Sequence, residues 1–177
     1  MNRSQPLFSS SLRLLLAYAA TCLGAYFFGP ILLRTLIPLF KLVIETWHPD
    51  LRVANFSIDS TTVSLALVRT GAPNRGFHAH TTAFPCFTYP ILVLTLIMAW
   101  RFDSVRGRCL ALGAASPLLL LMLIADLPIN ILLGVAEVTQ KSEPYLLFLN
   151  NNGGRQFLSL FIFCVALGVS RLTLRSR

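Results

Sequence analysis

Long apolar runs constrain this chain more than any motif does. The stretch from about Leu12 to Leu33 carries one charge, Arg13, and the stretch from about Thr82 to Trp100 carries none. The stretch from about Cys109 to Leu133 carries only Asp126, and a shorter one runs from about Gln156 to Leu172. Crossing the roughly 30 Å hydrocarbon core of a bilayer takes about 20 apolar residues at 1.5 Å each. Four such runs predict an all-α membrane protein with about four transmembrane helices, in which residues 1–177 form one integral membrane domain. Composition agrees: 12% of residues are charged and mean hydropathy is +0.68. A water-facing domain usually carries about 25% charge.

The net charge of +8 follows the ends of the runs. Arg101, Arg106 and Arg108 fill the loop between the second and third spans, and Arg171, Arg175 and Arg177 fill the tail. Basic residues in short flanks mark the cytoplasmic side. Both termini are therefore expected in the cytoplasm of a bacterial inner membrane, in agreement with Arg3 and Arg13. Arg3 and Arg13 also precede the first run as in a signal peptide, but the run continues past any plausible cleavage site, which predicts an uncleaved anchor. No basic patch interleaves with exposed aromatics, which argues against nucleic acid. The expected partners are membrane lipids and an integral membrane protein.

Residues 46–81 are then extracytoplasmic. Leu51–Val53 and Phe56–Ile58 look extended, Asp59–Thr62 reads as a turn, and Val63-Ser64-Leu65-Ala66-Leu67 alternates with period two. That pattern predicts a small β-hairpin. Thr70 to Thr82, with Gly71, Pro73 and Gly76, reads as a loop. Tyr145–Leu149 is too short to span and is expected in the interface, and Asn150-Asn151-Asn152-Gly153-Gly154 is turn chemistry. Gly24 and Gly29 offer small surfaces for helix contact.

Three groups of residues carry possible chemistry. Cys86 opens the second span, with His78 and His80 upstream and His48 and Arg75 also outside. A thiol beside histidine is a nucleophile candidate, and His78, His80 and Cys86 could hold a metal. The spacing matches no zinc signature, and neither a metal nor a cofactor is implied. The four cysteines, Cys22, Cys86, Cys109 and Cys164, are scattered and form no disulfide framework. Arg34, Pro38, Lys41 and Glu45 recur on one helical face, as do Asp126, Asn130, Gly134 and Glu137. A carboxylate at the depth of Asp126 is costly unless paired or hydrated. The expectation is that the two stripes face each other, Arg34 opposite Asp126, or else that each side chain snorkels to water.

The layout resembles a known group. A long first span precedes the strand-like stretch Leu51 to Val68, and a second span opens with Phe84-Pro85 and Tyr89-Pro90 and ends at the loop Arg101 to Arg108. Over roughly residues 12–138 this is similar to the small membrane proteins encoded with bacterial exosortases, which are envelope-sorting transpeptidase-like enzymes. Exosortases themselves present an outward-facing Cys, Arg and His. Here no histidine follows Cys86, and the only outer arginine after it is Arg155. The resemblance therefore implies an accessory of protein sorting or envelope export rather than the enzyme. A thiol peptidase using Cys86 with His78 or His80, and a small transporter subunit built around Asp126, stand as the alternatives.

Overall fold

The computed structural model describes residues 5–59, 62–82, 84–139 and 152–175. Helix α1 (Gln5–Trp47) is followed by strands β1 (Leu51–Asp59), β2 (Thr62–Arg69) and β3 (Ala72–Thr82). A 3-10 turn (Phe84–Phe87) leads into α2 (Thr88–Ala99), then α3 (Val105–Thr139) and α4 (Asn152–Arg175). The expected interfacial segment Tyr145–Leu149, and the expected turn as far as Asn151, lie outside the described residues.

Three helical segments are long and apolar enough to cross a membrane: Ser10–Trp47, Val105–Ile131 and Gly154–Leu174. The expected second span is shorter than the others. Its apolar helical part is Pro85–Ala99, because Thr82 is still paired with Thr62 in the sheet and the turn at Pro85 separates the strand from α2. Pro30 and Pro38 lie inside α1 without ending it, so its 43 residues extend about 65 Å. That length is roughly twice a bilayer core.

The sheet is a three-stranded antiparallel meander in the order β1-β2-β3, not the expected hairpin. The segment read as a loop supplies β3. Phe77-His78-Ala79-His80 has the alternation of a strand, and His80 sits opposite Ser64. Gly71 and Pro73 hide this in the sequence. The register steps from Val68↔Gly76 to Arg69↔Ala72, so residues 73–75 fall out of the ladder at its irregular start. A proline is tolerated there because β3 is an edge strand.

One face of the sheet is apolar and packs on the helices. Val53, Ile58, Val63, Leu65 and Leu67 form one core with Leu33, Leu36, Phe40 and Ile44 of α1 and Leu123, Leu127 and Ile131 of α3. Phe40 stacks on Phe56, with ring centroids 6.0 Å apart. A second core joins the other ends of the helices: Tyr89, Val93 and Ile97 of α2 with Ala111, Ala115 and Leu119 of α3 and Ile162, Phe163 and Ala166 of α4. The alanines let the backbones approach, as small residues do between membrane helices. Polar ties cross the same region. Thr21 Oγ1 lies 2.8 Å from Thr95 Oγ1, and Ser170 Oγ donates to the Gly107 carbonyl at 2.8 Å.

The two glycines of α1 differ. A Cβ on Gly24 would meet nothing within 4 Å, whereas one on Gly29 would lie 2.5 Å from Cζ of Phe87. Phe87 is itself buried, so its ring has little room to move. Gly29→Ala should therefore destabilise the protein by about 1–3 kcal/mol through overpacking. Gly24→Ala should be neutral or mildly stabilising. Unfolding of both variants in detergent, followed by circular dichroism, checks the contrast.

Candidate functional site

The described residues bring together one buried polar cluster, at the junction of the 3-10 turn, α2, α3 and α4. Asp126 on α3 is 4% exposed and Arg155, in the first turn of α4, is 3% exposed. Arg155 Nη2 donates to Asp126 Oδ1 at 3.2 Å and to Oδ2 at 3.3 Å, with Nε 3.4 Å from Oδ1. The same Nη2 donates to Asn130 Oδ1 at 2.9 Å, while Asn130 Nδ2 donates to the Asp126 carbonyl at 2.7 Å. The spacing of Asp126 and Asn130, one helical turn apart, is what lets both face one guanidinium. Two further side chains close the cluster. Cys86 and Tyr89 are both buried beside Asp126 and Arg155. Ser159 Oγ donates back to the Arg155 carbonyl at 2.8 Å.

Asp126 is thus paired, but with Arg155 rather than with Arg34. The α1 stripe has another partner: the outer strand β1. Arg34 Nη2 and Nε donate to the Ile58 carbonyl at 3.1 and 3.3 Å. Glu45 Oε1 accepts from the Val53 amide at 3.2 Å, and Lys41 lies 4.0 Å from Glu45. β1 has a neighbour on one side only, and backbone groups on such a strand need partners. Arg34 and Glu45 supply two of them. Glu137 lies on α3, with its side chain outside the described residues.

The expected thiol–histidine group is not assembled. Phe77 and Ala79 turn toward the core, so the strand's alternation turns His78 and His80 the other way, and both are exposed. His80 Nδ1 lies 2.9 Å from Ser64 Oγ across the outer face of the sheet. Cys86 is buried completely in the core that the sheet shares with the helices. His48 is exposed between α1 and β1, and the side chain of Arg75 is outside the described residues. Among the described residues no group of three or more His, Cys, Asp and Glu side chains could hold a metal ion. The four cysteines are free.

Arg155 is the residue that sequence reasoning missed as a partner. Its signal was present: it is the only basic residue close to the start of the last apolar run, at the end where Asp126 lies on the preceding one. Comparison with family models, curated proteins and solved structures gives no match for this chain.

A buried ion pair gains its strength from being complete, and removing one partner leaves an uncompensated charge. Arg155→Leu or Asp126→Leu should each cost about 3–5 kcal/mol, and the double substitution should recover most of that loss. Arg34→Gln, which removes hydrogen bonds at an exposed site, should cost about 1 kcal/mol or less. Denaturant titration of the four variants in detergent measures all of these terms.

Proposed function

We propose that the chain is a non-enzymatic accessory or scaffold subunit of a bacterial envelope protein-sorting or export system. It crosses the inner membrane four times, with both termini in the cytoplasm and residues 51–82 outside. The observation that carries the non-enzymatic reading is the burial of Cys86. The only thiol near the outer segment is buried completely in the core that the sheet shares with the helices, whereas His78 and His80 are exposed. Asp126 is equally sealed and neutralised by Arg155, which speaks against a proton or ion path through it.

Contact with a partner is supported by what the fold leaves uncovered. Only 28–33% of the most apolar windows of the three long helical segments is buried within the chain. Tyr26, Phe27, Phe28 and Ile31 of α1 are each more than half exposed. Lipid covers such a surface, and so does another set of helices. The resemblance of the layout to exosortase-associated proteins favours a sorting enzyme as that partner.

A second reading is thiol chemistry at Cys86. It is favoured by the nearness of the thiol to the Asp126 carboxylate and its arginine, and it requires the core around Cys86 to open.

Crosslinking in native membranes, followed by affinity capture and mass spectrometry, should recover one stoichiometric multi-span partner. Recovery of the chain alone, or only with itself, would overturn the accessory reading. In the same membranes Cys86 should resist a membrane-impermeant maleimide until the protein is denatured, and Cys86→Ser should leave partner capture unchanged. Rapid labelling, or loss of the cellular phenotype in Cys86→Ser at normal protein levels, would favour the thiol reading instead.

A further inference from the structure

The end of the bundle opposite the sheet carries a concave feature. Arg13 from the N-terminal part of α1, Trp100, Arg101 and Phe102 from the α2–α3 connection, and Arg108 from the first turns of α3 line a groove of about 630 Å³. That size lies within the range of small-molecule sites, roughly 300–1,000 Å³. Three arginines, from α1, the α2–α3 connection and the start of α3, line it. Among the described residues none of the three forms an ion pair.

Arg108 is the most ordered of the three, being partly buried where Arg13 and Arg101 are exposed. Its Cζ sits 5.9 Å from the centroid of the Phe102 ring. Its Nε is buried, and among the described residues it has no hydrogen-bond partner. A guanidinium presents its donors in a fork that matches the oxygens of a phosphate. Gly107 and Ser104 hold the start of α3 in place beside it. Ser104 Oγ accepts from the Gly107 amide at 3.1 Å, and Gly107 packs so closely that a Cβ would lie 3.2 Å from Leu174. Trp100 and Phe102 add the aromatic surface found where protein meets a membrane interface.

We propose that this groove binds a phosphate group, that of an anionic phospholipid headgroup, between Arg13, Arg101 and Arg108. The proposal rests on membrane insertion of the chain and not on its accessory role. A basic pocket between helix ends is the arrangement that recognises such headgroups. The three arginines supply positive charge from different directions, and the apolar Met98 and Ala99 on the groove wall are suited to the start of an acyl chain.

The chain has two tryptophans, so Trp47→Phe leaves Trp100 as the only indole reporter. The full-length protein would be reconstituted in phosphatidylcholine vesicles containing bromine-labelled phosphatidylglycerol or, at equal mole fraction, bromine-labelled phosphatidylcholine. Trp100 fluorescence should be quenched more by the anionic lipid. Arg13→Gln and Arg108→Gln should each weaken that preference by about fivefold, the scale of one basic residue at an anionic surface. Inorganic phosphate should not displace it. If instead inorganic phosphate shifts Trp100 emission in pure phosphatidylcholine, and the same variants abolish the shift, the phosphate group is right and its source is soluble. Equal quenching by the two lipids with no response to phosphate overturns the proposal. Absence of quenching by either lipid overturns membrane insertion as well, so the two failures are distinguishable.

Discussion

The contact between Asp126 and Arg155 organises the upper part of this protein. A carboxylate in an apolar helix bundle is tolerated only when its charge is answered nearby. Here the answer comes from the first turn of a different helix, so the cost of burial becomes a constraint on helix order and depth. α3 and α4 must run side by side at one height for Arg155 to reach both Asp126 and Asn130. Tyr89 and Cys86 place the start of α2 and the turn before it, both buried, against the same point. Buried pairs are weak evidence for stability. What this one specifies is arrangement: the apolar helices, whose contacts with one another are otherwise non-directional, acquire a register.

The sheet depends on that register in turn. Its apolar face lies across α1 and α3 together, so it needs those helices at a fixed separation. A small sheet is marginal by itself in water, and this one is stabilised by having helix ends as its second layer. The outer strand is held by Arg34 and Glu45 of α1. One helix face therefore serves both as an apolar wall, through Phe40 and Ile44, and as a clamp on strand backbone.

Much of this was legible in the sequence, for physical reasons. Hydrophobic run length reports solvent, and the runs around Leu12–Leu33, Cys109–Leu133 and Gln156–Leu172 fall in the three long apolar helices. Period-two alternation reports a half-buried strand, and it located β1 and β2. β3 was hidden because Gly71, Pro73 and Gly76 signal a break, while the alternating Phe77-His78-Ala79-His80 that follows is short. Asp126 could be singled out by depth alone. Its partner could not, because pairing depends on which helices abut. A helical stripe with Arg34 on it offers the same charge as Arg155 until the packing is known. The grouping of Cys86 with His78 and His80 failed for a related reason. Nearness in sequence across a strand end says nothing of direction, and the chain turns at Pro85 from one side of the sheet to the other.

The 29-residue separation of Asp126 and Arg155 has a consequence for biogenesis. The chain emerges from the ribosome N-terminus first, so α1, the sheet, α2 and α3 are all made before the cation that Asp126 requires. Throughout that interval the third apolar helix carries an unanswered carboxylate. Arrival of the last helix is therefore a closing step, and a chain truncated before Arg155 would expose an uncompensated acid within its apolar bundle. Such a mark separates unfinished chains from finished ones by chemistry alone, without any change in the segments already made.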